Sequence, residues 1–62
     1  MRKHLFEITS EDIILHNGRE VELDTINTLK GGEAIFLGGY YVDNGDDFRY
    51  TNDINETILV LS

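Results

Sequence analysis

Two Asn-Gly steps, Asn17-Gly18 and Asn44-Gly45, stand between runs of alternating or β-branched residues and constrain this chain more than any other feature. A two-residue hairpin turn of type I′ needs positive φ at both central residues, which Asn tolerates and Gly adopts without Cβ strain. Two hairpins are therefore expected. At the first, a tight turn sets His16 opposite Arg19, Ile14 opposite Val21 and Asp12 opposite Leu23. A longer loop with Gly18 in a bulge pairs Leu15 with Arg19 and Ile13 with Val21 instead, and gathers Ile13, Leu15, Val21 and Leu23 on one face. The bulged register is preferred, because a one-residue slip reverses every side chain and this one separates apolar from acidic residues better. At the second, the tight turn sets Tyr41 opposite Phe48 with Tyr50 on the same face, at the expense of Asp43 facing Asp46.

The rest of the chain reads as strands with one short helical piece. Lys3 to Ile8 is a first strand, residues 12–16 and 19–24 form the first hairpin, and Glu33 to Leu37 is a further strand. Asp24 to Lys30 is the expected helix: Asp24 or Thr25 can cap it, Ile26 and Leu29 share a face, and Gly31 can end it in the left-handed conformation. Gly38-Gly39 marks a bulge, a bend or a close approach of another backbone. Residues 40–43 and 47–50 form the second hairpin. The end, Thr57 to Leu61, is read as a strand because Thr57, Ile58 and Val60 are β-branched. Asp53 and Glu56 would otherwise make a capping box for a helix there. A strand apolar on both faces belongs inside a sheet or between layers. The expected fold is mostly β: a small, twisted antiparallel sheet or partly closed barrel of five to six strands.

Sixty-two residues make a single domain. A chain this short buries only ~60% of its unfolded surface, and it has no cysteine to staple it. Hydrophobic residues are 40% of the chain, so it folds rather than staying disordered. Aligning residues 12–23 with 39–50 on their turns matches little beyond the turn, so the hairpins are not an internal repeat. Met1-Arg2-Lys3 is basic but is not followed by a secretory apolar segment, and no run approaches a membrane span. A soluble cytoplasmic protein is expected.

Charge is the second constraint. Twelve acids against five bases give −7; residues 1–30 hold six acids and four bases, residues 31–62 six acids and one base. Five scattered cations cannot neutralise a phosphate backbone, so direct nucleic-acid binding and anionic membranes are disfavoured. A carboxylate surplus suits a basic protein partner, met by electrostatic steering. Glu20, Glu22 and Asp24 fall at every second position of a strand, ~6.8 Å apart. Asp43, Asp46 and Asp47 cluster at the second hairpin tip. Together they could imitate nucleic-acid phosphates, although alternate acids are also what any strand shows on its wet face. Tyr41, Phe48 and Tyr50 are expected on the core side, with Tyr40 and Arg49 sharing the other face as a contact site or an exposed cation–π pair.

Reactive chemistry finds little footing. Asp43-Asn44-Gly45-Asp46-Asp47 does not fit a calcium loop, since the glycine is third rather than sixth. His4 and His16 lack metal-ligand spacing, and neither Ser10 nor Ser62 sits in a nucleophile elbow. Neither Gly31-Gly32 nor Gly38-Gly39 leads into a phosphate-binding Lys-Ser/Thr pair. Asn55-Glu56-Thr57 is read as an accidental glycosylation triplet. No cofactor, metal or catalytic residue is expected. The functional expectation is a stoichiometric binding module, of the phage-inhibitor or nucleic-acid-mimic kind, with Glu20, Glu22, Asp43, Asp46, Asp47, Tyr40 and Arg49 as contacts. The alternative is an assembly subunit that pairs through a strand edge, for instance as a homodimer.

Overall fold

The computed structural model describes residues 1–61. Its strands are β1 (Arg2–His4), β2 (Ile13–His16), β3 (Arg19–Leu29), β4 (Ala34–Tyr41), β5 (Asp47–Asp53) and β6 (Thr57–Leu61), with 3-10 turns at Leu5–Glu7 and Lys30–Gly32. They form one antiparallel sheet in the order β1-β6-β2-β3-β4-β5. The sheet is mostly β as expected, and it is not closed. It must nevertheless curl. β5 and β6 lie four places apart in the order, ~19 Å in a flat sheet. The connection from Asp53 to Thr57 reaches at most ~14 Å. Rolling brings the inner faces together around Leu5, Ile14, Val21, Leu37 and Val60, each no more than 1% exposed. The closing segment is a strand, and it lies inside the sheet between β1 and β2.

The first hairpin takes the tight register, not the bulged one. Asn17 and Gly18 both have positive φ, 53° and 78°. The pairs are His16 with Arg19, Leu15 with Glu20, Ile14 with Val21 and Ile13 with Glu22. β2 must satisfy two neighbours at once, and Ile14 also pairs with Val60 of β6. The tight register therefore stacks Ile14, Val21 and Val60 across three strands as a buried row; the bulged one would have broken it.

Residues 24–30 are not a helix. β3 runs on to Leu29 and pairs Thr25 to Leu29 with Gly38 to Ala34. An isolated helix of two turns is marginal, whereas continuing the ladder adds hydrogen bonds and buries side chains together. Asp24 is the extra residue of a β-bulge, since Leu23 pairs with Gly39 and Thr25 with Gly38. The bulge shifts the strand's phase by one, so Val21 and Leu23 point inward before it and Ile26 packs on the core after it. Gly38 and Gly39 do not end β4; they lie opposite this bulge. A Cβ on Gly39 would overlap the Glu22 carbonyl oxygen and lie 2.9 Å from Leu23 Cα, so of the three alternatives read from the glycine pair the close backbone approach is the one Gly39 makes.

The second hairpin, by contrast, is longer than the two-residue turn expected there. Its register pairs Gly39 with Phe48 and Tyr40 with Asp47, so Tyr41 is not opposite Phe48. Tyr41 N–H donates to Asp46 O (2.8 Å), Gly45 N–H donates to Tyr41 O (2.7 Å), and Val42 to Gly45 form the loop. Gly45 has φ of 79°, whereas Asn44 stays at negative φ. Asn44 Oδ1 instead accepts the Asp46 N–H at 2.9 Å. The longer loop removes the Asp43–Asp46 confrontation that the tight turn imposes. At the N-terminus, the strand expected over 3–8 stops at His4. The following 3-10 turn buries Leu5 and leaves Phe6 56% exposed.

Candidate functional site

The outer face of β3, β4 and β5 collects most of the residues singled out by charge. Glu22 pairs with Tyr40, and Tyr40 with Asp47, making a row across three strands. Glu20 lies one pleat nearer the hairpin ends, where its carbonyl accepts the Val42 N–H at 3.0 Å. Arg49 lies on the other side of the row, opposite Gly38. All five side chains are exposed. Because Gly38 and Gly39 have no side chains, the face dips there into an open depression of about 290 Å³, bordered by Asp24, Phe36, Asp47 and Arg49. The Glu22 carboxylate, through hydrogen bonding and then charge, holds the Tyr40 phenol above the ordinary tyrosine pKa, with a smaller push from Asp24.

The expected tip cluster is split. Arg19 grips Asp43 with both ends of its fork, Nε to Oδ2 at 2.9 Å and Nη2 to Oδ1 at 2.8 Å. That hydrogen bonding lowers the Asp43 pKa and raises that of Arg19. Asp43 is thus neutralised locally rather than offered to a partner. Asp46 is tied into its own turn, accepting from Asn44 Nδ2 at 2.9 Å. Only Asp47 of the three joins the outer row. The bulge also breaks the even row of Glu20, Glu22 and Asp24, and Asp24 accepts instead from the Thr25 hydroxyl at 3.0 Å.

Among the described residues the only other ion pair is Lys3 Nζ with Asp12 Oδ1 at 3.0 Å. Asp12 also accepts the Thr9 N–H at 2.9 Å. That backbone hydrogen bond, with the neighbouring lysine, lowers its pKa. This is a structural clamp on the turn before β2, on a different part of the molecule from the row.

The aromatic group divides as expected by face. Phe48 is buried, Tyr41 and Tyr50 pack against the core, and Tyr40 and Arg49 face outward. The cation–π contact, however, is Arg19 over Tyr41, 3.9 Å from the ring centroid, and not Arg49 with Tyr40. His16 joins this group, which sequence reasoning did not anticipate. Its Nδ1 lies 3.3 Å from the Tyr41 hydroxyl, and its ring meets Phe48 and Tyr50 edge-on at 5.2 and 5.9 Å. The signal was parity: His16 follows Ile14 at a spacing of two, which puts both on the inner face once the tight turn is chosen.

The other reactive side chains are placed structurally. His4 Nδ1 bonds with Asn55 O at 2.9 Å, and its ring stacks on Phe6 at 5.2 Å. Among the described residues no three His, Cys, Asp or Glu side chains gather as a metal site, and no helix is long and apolar enough to cross a membrane. Ser62 lies outside the described residues. Comparison with family models, curated proteins and solved structures finds no match to this chain.

Proposed function

We propose that this chain is a stoichiometric protein-binding module whose acidic outer face occupies a basic surface on its partner. The observation that carries the reading is the Glu22–Tyr40–Asp47 row. Two carboxylates flank an exposed aromatic ring, Glu20 and Asp24 stand beside them, and none of the four acids has a basic partner among the described residues. In a chain of net charge −7, such a face attracts cations over roughly a Debye length and speeds encounter with a positive surface. Tyr40 and Arg49 add the residue types that dominate interface energetics. Among the seven contacts expected from sequence, Glu20, Glu22, Tyr40, Asp47 and Arg49 remain in this role. Asp43 and Asp46 serve the hairpin tip.

Carboxylates spaced along and across the strands also suit imitation of a phosphate backbone, so the partner class is a protein with a cationic groove, such as a nucleic-acid-handling factor. Occupying that groove is inhibition without chemistry, and a cytoplasmic setting suits a chain without cysteine. The test is Glu20→Lys with Glu22→Lys. Both positions are exposed, so folding should stay within about 0.5 kcal/mol of the parent. Affinity for a partner captured from the native host and identified by mass spectrometry should fall, and parental affinity should drop steeply with salt. Unchanged affinity in the double variant would remove the acidic face from the proposal.

A further inference from the structure

β5 ends the sheet, with β4 on one side and no strand on the other. Two hydrogen bonds bracket its ladder and show which backbone groups face the open side. Tyr41 N–H donates to Asp46 O, and Ile54 N–H donates to Glu33 O. Antiparallel ladders alternate, so Phe48, Tyr50 and Asn52 turn their N–H and C=O groups towards β4, while Asp47, Arg49, Thr51 and Asp53 turn theirs away. Asp53 is already satisfied: its N–H donates to Asn52 Oδ1 at 2.8 Å and its C=O accepts from Glu56 N–H at 3.0 Å. Three donors and three acceptors remain, on Asp47, Arg49 and Thr51, with no protein partner among the described residues. They lie along the free edge of β5. The other edge, β1, is only three residues long.

The same alternation sets the charge along the edge. Asp47, Arg49, Thr51 and Asp53 are all exposed on the outer face, so β5 carries a carboxylate at each end and a guanidinium between. The carboxylates are six residues apart, ~20 Å. On the opposite face, Tyr50 is half-buried beside the core.

We propose that β5 receives an extended basic segment of the partner as a seventh, antiparallel strand. The added strand pairs its backbone with Asp47, Arg49 and Thr51. It sets two cations, six residues apart, opposite Asp53 and Asp47, with an acid opposite Arg49 and apolar side chains towards Tyr50. Main-chain pairing supplies affinity and the alternating side chains supply selectivity. This inference rests on the acidic-face reading above and gives the partner a definite shape. A second copy of this chain is the poorer occupant: the register that overlaps all seven residues sets Asp47 against Asp53 at both ends and joins two molecules of charge −7.

The probe is the peptide Lys-Val-Thr-Val-Glu-Val-Lys, titrated into the full-length ¹⁵N-labelled chain and followed by amide shifts and hydrogen exchange. Saturable shifts and slowed exchange are expected at Asp47, Arg49 and Thr51. N-methylation at the peptide Thr and Glu, whose amides face the edge, should weaken binding roughly tenfold or more. N-methylation at the central Val, whose amide faces away, should leave it unchanged. Exchanging the charges, as in Glu-Val-Thr-Val-Lys-Val-Glu, should also weaken it. Thr51→Pro should abolish peptide binding while sparing the β4 pairing, because that N–H is not used inside the sheet. The proposal is overturned by absence of binding up to about 1 mM, by methylated peptides that bind alike, or by shifts centred away from β5. A parental chain that dimerises through β5, seen by sedimentation, also overturns it. Glu20 and Glu22 lie on β3, two strands from this edge. If their reversal weakens the native partner while the peptides fail, only the edge is lost; if the peptides bind and reversal has no effect, only the face is lost.

Discussion

Gly39→Ala tests the packing that holds the acidic row in place. The added Cβ would stand 2.9 Å from both the Glu22 carbonyl carbon and Leu23 Cα, and would overlap the Glu22 carbonyl oxygen. These are backbone atoms of a paired strand. They cannot swing aside as a side-chain end can, so relief requires β3 and β4 to part beside the bulge. Ordinary overpacking costs ~1–3 kcal/mol. Parting the ladder forfeits nearby hydrogen bonds as well, each worth ~0.5–1.5 kcal/mol net. The expected loss is therefore about 3 kcal/mol or more. A domain of 62 residues has a total stability of ~3–9 kcal/mol, so this one methyl should remove a third of it at least. Gly38→Ala is the matched control. Its Cβ meets the Phe36 ring at 2.9 and 3.2 Å and Thr25 Cβ at 3.4 Å. The ring edge can rotate away, and alanine recovers ~0.5–1 kcal/mol of backbone entropy that glycine forfeits in a strand. Its net change should lie within about 1 kcal/mol. Urea unfolding followed by far-UV circular dichroism gives both values from the midpoint shift at constant slope. Equal midpoints for the two variants would refute the close approach of β3 and β4 at this site.

Further expectations concern the turn, the clamp and the acidic face. Gly18 holds φ of 78°, so Gly18→Ala should cost about 1–2 kcal/mol in the same urea assay, and Gly18→Asn clearly less; a neutral alanine would mean that the first hairpin is not a type I′ turn. The Asp12 pKa lies below its ordinary 3.8, so the stability it contributes is complete above that pH and is lost as pH falls through the lower, folded value. Asp12→Asn should therefore flatten the acid limb of a Tm-against-pH curve below about pH 4; parallel curves for parent and variant would contradict the Thr9–Asp12–Lys3 clamp. For the outer face, Asp47→Lys should weaken the native partner as the Glu22 reversal does, whereas Asp46→Lys should have a smaller effect on it. The reverse order in a binding titration would restore the hairpin tip as the contact.

Several features were legible because their causes are local. Asn17-Gly18 marks a hairpin turn because both residues tolerate positive φ, and a turn forms there, although in the tight form rather than the preferred bulged one. Gly38-Gly39 marked a bulge, a bend or a close backbone approach, and Gly39 makes the last of these, since only a missing Cβ admits the neighbouring carbonyl. The β-branched run from Thr57 to Leu61 marked an interior strand. The bulge, too, left a trace. Val21 and Leu23 are inward at odd positions while Ile26 is inward at an even one, and a strand can change phase only by inserting a residue between them. The reading of Asp24 to Lys30 as a helix explained that spacing differently, and the spacing alone is compatible with both.

The errors have a common origin in neighbours that are distant along the chain. The register of the first hairpin was decided by Val60, which is 46 residues beyond Ile14 and stacks against it in the sheet. The second hairpin has a four-residue loop in which Asp43 is held by Arg19, a residue of β3 on the neighbouring hairpin. Nothing near Asp43 in sequence indicates that ion pair.

What the amino-acid order determined by itself was therefore the positions of the two hairpins, the β character of the chain, the excess of carboxylates and the absence of any cysteine. Each of these follows from single residues or short spacings acting through backbone sterics, side-chain alternation and charge. Tertiary structure decided the registers, the extension of β3 through Asp24, the inward place of His16, and the sorting of the acids into a tip held by Arg19 and Asn44 and an open row. Those outcomes depend on which strands meet, and strand pairing is settled by burial and hydrogen bonding between segments far apart in the chain.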